Sequence, residues 1–258
     1  MKVVVITQAR TGSTRLPSKV LKKIQDKSLL QIHIDRIRQA KLVDDIYIAT
    51  TTNENDNQIE TLAEQLNVKC YRGSQSDVLD RFYQTVKNVK PNFIVRLTSD
   101  CPLIDPVLID EVLKVAIAKE YDYYANVMEE LYPDGQDIEV FTFNALESAW
   151  SATKLKSDRE HVTPYIRNNS SYKNGTLFKS ENHSLDEDYN HVRLTVDEQV
   201  DFEVIKKIIE ALGVDKNWKT YADYYLNTKE IHSLNSTITR NEGYLKSLSK
   251  DRGAELNN

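Results

Sequence analysis

Between Lys2 and Thr7 the chain runs through four consecutive β-branched apolar residues with no polar alternation. That is the pattern of a central strand buried on both faces. Residues 28–40 then place Leu30, Ile34 and Ile37 on one helical face, and residues 45–51 read as a second strand. A helix follows over 54–66 with Ile59, Leu62, Ala63 and Leu66, then a short extended piece at 68–71. The spacing predicts a further helix over 76–89 and a strand over 92–98. Asp105-Pro106 opens the next helix, the aspartate as cap and the proline in the first turn, with Leu108, Val112 and Val115 as its apolar face. The second half is less regular. Residues 121–127, 137–143 and 191–196 read as strands, a helix runs from the second of these to about 155, and an amphipathic helix spans 200–212. Ser157-Asp158-Arg159-Glu160 has the Ser-x-x-Glu form that starts a helix with a capping box.

Strands alternating with helices predict an α/β chain: one domain, three layers, a mainly parallel sheet with helices on both faces. The expected domain covers residues 1–228. From 229 to 258 the chain turns polar and weakly periodic, as expected of an extended or partly helical tail leaning on the body or on a second copy, so a homodimer is a possible assembly. In parallel sheets ligands sit beyond the carboxyl ends of the strands, which directs attention to residues 8–19, 72–77 and 98–105.

Composition narrows the ligand. With 258 residues and a formal net charge of −5, the chain lacks the broad positive field of a nucleic-acid binder, while small basic pockets for phosphate stay possible. No apolar run approaches the roughly 18 residues of a membrane span, and the apolar start is too short for a secretory signal. The two cysteines, Cys70 and Cys101, make neither a disulfide framework nor a metal site. The expectation is a cytoplasmic protein with no nucleic-acid or membrane partner.

The first of the three loops carries the most chemistry: Gln8-Ala9-Arg10-Thr11-Gly12-Ser13-Thr14-Arg15-Leu16-Pro17-Ser18-Lys19. Gly12 and its small hydroxyl neighbours let backbone N–H groups approach an anion. Arg10 and Arg15 can fork onto phosphate oxygens, and Lys19 supplies a point charge. The pattern is neither a Walker A loop nor Gly-x-Gly-x-x-Gly, and by composition alone it could be a solvated basic loop. Asp100 and Asp197 each follow a predicted strand, where a carboxylate pair suits Mg²⁺. Each also has a plain structural reading, as a turn residue before Pro102 and as a helix-entry acid.

Taken in order, Ala9-Arg10-x-Gly12-Ser13-Thr14-Arg15-Leu16-Pro17-x-Lys19-x-Leu21 resembles the signature loop of the cytidylyltransferases that make CMP-activated sugar acids, the CMP-Kdo and CMP-sialic acid synthetases. The branch named for spore coat polysaccharide biosynthesis, the SpsF-like proteins, is the one most resembled. Arg72-Gly73-Ser74-x-x-Asp77-Val78-Leu79-Asp80-Arg81, Arg96-Leu97-Thr98-Ser99-Asp100-Cys101-Pro102-Leu103-Ile104-Asp105, Leu194-Thr195-Val196-Asp197-Glu198 and Thr239-Arg240-Asn241-Glu242-Gly243-Tyr244 extend the likeness over most of the chain. The resemblance implies a Rossmann-like sheet of the nucleotide-diphospho-sugar transferase type, and transfer of CMP from CTP to a sugar or sugar-acid hydroxyl with release of pyrophosphate. It implies Mg²⁺ on Asp100 and Asp197, catalytic roles for Arg10, Lys19 and Asp100, and a nucleotide site of Ala9, Arg10, Gly12, Ser13, Thr14, Arg15, Lys19, Gly73, Ser74 and Asp77. Polar residues in a turn entering a strand, Gln136, Asp137 and Glu139, and the pair Arg159 and His161 are the expected acceptor contacts. Cys101 departs from CMP-Kdo synthetases, which carry an acid there, so the acceptor is left open among sugar acids, other sugars and small phosphate or phosphonate compounds. Two rivals remain at this stage. A glycosyltransferase would use an already activated sugar and an Asp-x-Asp motif, which Asp100-Cys101-Pro102 does not supply. A non-catalytic nucleotide sensor would bind CTP and Mg²⁺ without turnover.

Overall fold

The computed structural model describes residues 1–241. Along it run β1 (Val3–Gln8), β2 (Lys23–Ile24), β3 (Lys27–Ser28), α1 (Leu29–Ile37), β4 (Asp45–Thr51), α2 (Asn57–Gln65), β5 (Lys69–Gly73), α3 (Val78–Val86), β6 (Phe93–Thr98), α4 (Pro106–Ala118), β7 (Tyr123–Ala125), β8 (Glu139–Thr142), α5 (Phe143–Ala152), α6 (Lys156–His161), α7 (Pro164–Asn168), β9 (Ser180–Asn182), α8 (Gln199–Leu212), α9 (Trp218–Asn227) and α10 (Lys229–Asn235).

The apolar run of β1 explains its central place. Val3 and Val5 pack on one side with Leu30, Ile34, Ile59 and Val112; Val4 and Ile6 pack on the other with Leu79, Phe82, Phe141 and Leu146. Period-two alternation thus feeds two separate cores, and three layers result. The strand order is β5-β4-β1-β6-β8-β7-β9. β5, β4, β1 and β6 run parallel, while β8 enters antiparallel to both β6 and β7. The carboxyl ends of β1, β4, β5 and β6 therefore open on one edge, where the three loops gather.

Caps position the helices around that edge. Asp105 Oδ1 accepts from Val107 N at 2.8 Å and Leu108 N at 3.4 Å, ahead of Pro106. Its other oxygen accepts from Trp218 N at 2.7 Å, tying α4 to α9. Asp77 caps α3 by accepting from Asp80 N, so it stands just outside the helix and not in its first turn.

Two expectations are corrected. The helix expected from Ser157 starts one residue earlier, at Lys156, with Leu155 at the N-cap position and no side-chain cap bond, and Asp158 is buried, accepting from Thr153 Oγ1 at 2.8 Å. Reciprocal capping occurs instead at α8, between Glu198 and Asp201. Nor is 191–196 a sheet strand; its β-bridge is a single parallel one, Arg193 with Asp134. Its alternating Val192, Leu194 and Val196 are fully buried in a third core with Phe202, Ile205, Tyr221 and Tyr225, below the edge of the sheet. Packing on helices satisfies the alternation that reads as strand. α10, the start of the polar C-terminal stretch, packs on α8 and α9; buried Asn235 donates to Asp201 at 2.9 Å and accepts from Tyr225 at 2.8 Å. Of the motif at 239–244, Glu242, Gly243 and Tyr244 lie outside the described residues. No helix among the described residues is long and apolar enough to cross a membrane.

Candidate active site

Two cavities open side by side at the carboxyl edge of the sheet. The larger, about 920 Å³, is lined by Ala9, Arg10, Gly12, Ser13, Thr14, Arg15, Lys19, Asp77, Asp100, Arg159, His161 and Asp197 among others. The smaller, about 300 Å³, is lined by Arg96, Asp134, Asp137, Glu139, Arg167 and the late residues Thr239 and Asn241. Arg15, Thr98, Asp100, His161 and Asp197 line both, so the two spaces meet at the carboxylates.

The loop after β1 is shaped from beneath. Asp56 Oδ1 accepts from Thr11 N at 2.7 Å and Thr11 Oγ1 at 2.6 Å, while its other oxygen accepts from Thr51 Oγ1. Ser13 N and Ser18 N both donate to Thr11 O at 2.9 Å. Leu16 turns into the third core, leaving the basic residues on the cavity side. A Cβ at Gly12 would meet no protein atom within 4 Å, so no protein neighbour demands the glycine there.

Lys19 joins the two acids. Its Nζ donates to Asp100 Oδ2 and to Asp197 Oδ1, each at 2.7 Å, with the side chain only 12% exposed. Burial works to raise the Asp100 carboxyl, yet the Lys19 charge and hydrogen bond overcome it and hold the group at about 2. Burial also works against the Lys19 ammonium, and the two carboxylates reverse that, so it stays protonated. Asp197 is further gripped by Arg15 at 3.1 Å and Arg193 at 3.4 Å. Val196 N donates to Asp100 O at 2.9 Å, locking the two acidic segments side by side. Among the described residues no group of three or more His, Cys, Asp or Glu could hold a metal. What stands here is a carboxylate pair, the donor set that suits Mg²⁺ completed by phosphate and water.

The remaining expected residues divide. Gly73 and Ser74 do not form the cavity wall, which Gln75, Ser76 and Asp77 supply. A Cβ on Gly73 would meet the Tyr71 and Arg81 side chains at 3.0 and 3.3 Å, and Ser74 O accepts from Arg81 Nη1 at 3.2 Å. Arg159 lines the larger cavity, not the smaller; it donates to Asp77 Oδ2 at 2.7 Å and to the carbonyls of Trp150 and Thr153. His161 faces both spaces, and burial lowers its pKa. Gln136 is not brought to either: fully buried, it accepts from Asp105 N and donates to Leu103 O at 2.9 Å each, a strut under the loop. Its amide is consumed by backbone, which corrects the expectation of acceptor contact.

The smaller cavity carries acids matched by arginines from distant segments. Glu139 pairs with Arg96 and accepts from Tyr123 Oη at 2.6 Å; Asp134 meets Arg193 at 2.7 Å; Asp137 meets Arg240 at 2.6 Å. Burial and then the neighbouring Asp137 push Asp134 up to about 7. Gly135, with φ of +111°, lets this loop lie against the next segment: a Cβ would stand 2.7 Å from Leu194 C. Sequence reading passed over Arg81, Arg96, Arg193 and Arg240 as site residues. The first three had a signal, a cation inside an otherwise apolar face or run, which must find a partner or a ligand.

The fold and site have counterparts. A cytidylyltransferase family model matches residues 4–241. An uncharacterized protein from Methanocaldococcus jannaschii is 40% identical over 243 residues, 92% of this chain and 96% of that one. The spore coat polysaccharide biosynthesis protein SpsF of Bacillus subtilis is 33% identical over 82% of this chain and 88% of its own. A solved cytidylyltransferase from Leptospira borgpetersenii, 30% identical, superposes with a TM-score of 0.83 over 93% of this chain and 98% of that chain. With the phosphate loop, the paired carboxylates and the sheet all in place, the chain belongs to the cytidylyltransferase family, in its SpsF-like branch, and is a CTP-dependent nucleotidyltransferase.

Proposed function

We propose that this cytoplasmic enzyme transfers CMP from CTP to a hydroxyl of a sugar or sugar acid, releasing pyrophosphate, and that its product feeds surface polysaccharide synthesis. The observation that carries the reading is the Lys19 ammonium at 2.7 Å from both Asp100 and Asp197, where the two cavities meet. CTP fits the larger space, its triphosphate against Arg10, Lys19 and the loop amides, its base toward Gln75–Asp77. The acceptor fits the smaller space, whose volume of about 300 Å³ matches a monosaccharide. The name of the Bacillus relative supports the polysaccharide destination.

The acceptor oxygen bonds to the α-phosphorus and gives up its proton to solvent as the bond to the pyrophosphate oxygen breaks, and such transfers need in-line placement and charge neutralisation more than covalent help. Arg10 and Lys19 take up charge on the phosphate oxygens. Asp137, Glu139 and His161 border the acceptor and orient its hydroxyls. Asp100 and Asp197 would hold Mg²⁺, which when bound would supply Lewis-acid neutralisation of phosphate charge. The test is pyrophosphate release from each nucleoside triphosphate against a panel of sugars and sugar acids. Release with CTP and one acceptor is expected; no release with any pair defeats the reading.

A further inference from the structure

The two acids suited to a divalent cation already have a resident one. Lys19 Nζ sits within hydrogen-bond distance of an oxygen from each, in a largely enclosed position, and Arg15 and Arg193 complete the neutralisation of Asp197. An ammonium there and a divalent ion with its first coordination shell compete for the same oxygens: Mg²⁺ requires carboxylate contacts of about 2.0–2.1 Å and keeps several waters. A divalent ion added beside Lys19 would also leave uncompensated positive charge in a partly desolvated pocket. Lys19 is free to relocate its charge. It follows the phosphate loop directly, opens a single 3-10 turn (Lys19–Leu21), and carries its ammonium on a flexible four-carbon stem bordering the cavity that receives the triphosphate.

We propose that Lys19 occupies the metal position in the nucleotide-free enzyme, and that the divalent ion enters only when a triphosphate draws the ammonium away. Metal and nucleotide therefore join together, and the empty enzyme does not charge itself with metal. Lys19 acts twice: it holds Asp100 and Asp197 side by side before substrate arrives, then moves to the phosphates. This rests on the proposed function in one respect, that these two acids take the metal.

The test reads Mn²⁺ binding by electron paramagnetic resonance on the full chain, without turnover. Wild type, Lys19→Met and Asp100→Asn are titrated with and without α,β-methylene-CTP, corrected for Mn²⁺ held by the analogue alone. Without nucleotide, Lys19→Met is expected to bind Mn²⁺ at least about tenfold more tightly than wild type, since a cation competing for the same oxygens is gone. Adding the analogue should tighten binding to wild type by a similar factor and to Lys19→Met by far less. Equal Mn²⁺ affinity of wild type and Lys19→Met without nucleotide overturns the proposal. Should Lys19→Met fail to fold, wild type alone decides: nucleotide-free affinity within about threefold of that with analogue overturns it. A different failure touches the proposed function itself, namely Asp100→Asn leaving Mn²⁺ binding to the analogue complex unchanged.

Discussion

The two cavities share a wall and differ in how they are made. The larger takes much of its lining from one continuous loop after β1, and its charge is mainly cationic, with Arg10, Arg15, Lys19, Arg81, Lys156 and Arg159. The smaller is assembled from segments spread between Arg15 and Asn241, and its acids are balanced by arginines reaching in from other elements. Phosphate is a uniform ligand that backbone amides and a few cations can hold, so a short motif suffices. The acceptor proposed for the smaller space would need polar groups fixed in space, and buried ion pairs across the fold would supply that fixity.

The shared wall gives the largest expected effect. Asp100→Asn should lower turnover with CTP and acceptor by about 10²–10³-fold or more while melting stays near wild type; near-normal pyrophosphate release would remove Asp100 from the chemistry. Behind that wall His33 is fully buried, with Thr7 Oγ1 at 3.0 Å and the Cys101 carbonyl at 2.8 Å. Burial brings its pKa down from 6.5 to about 4, the Cys101 hydrogen bond opposing. The unfolded chain takes up this proton first, so the contribution is whole above pH 6.5 and is lost as pH falls toward 4, about 3 kcal/mol in all. In denaturant titrations the stability gap between wild type and His33→Gln should narrow over that window; a constant gap contradicts it.

Separating the cavities takes a pair of variants. Arg81→Met should raise KM for CTP about tenfold and leave KM for the acceptor within about twofold; Arg240→Ala should do the reverse. Equal effects of both variants on both constants would erase the distinction drawn here. The smallest effect tests the frame alone. Asp105→Ala removes the cap of α4 and the tie to Trp218, costing about 1–2 kcal/mol by thermal melting with kcat unchanged.

Legibility in the sequence follows the same divide. The strand at residues 3–8, the cap at Asp105 and the loop from Gln8 to Lys19 are local, so periodicity and turn chemistry reveal them. The segment at 191–196 alternates like a strand, yet its partners are helices formed later in the chain, and no local signal says so. Gln136 looked like a polar turn residue; only the meeting of Leu103 and Asp105 around it shows that its amide serves backbone. Arg96 and Arg193 were visible as cations within apolar runs, but Glu139 and Asp134 as their partners were not. Arg240 stood in the motif at 239–244, but nothing in the sequence paired it with Asp137, 103 positions away.

On the proposed reading, Gly135 would tie acceptor choice to catalysis mechanically. Because it has no side chain, the loop bearing Asp134 and Asp137 rests directly on the backbone of Leu194 and Thr195, two residues before Asp197. Reshaping that loop for a different acceptor would then shift Asp197, the carboxylate proposed to hold the metal. Variation in the proposed acceptor would then fall more readily on lining residues outside that contact, such as Thr239 and Asn241.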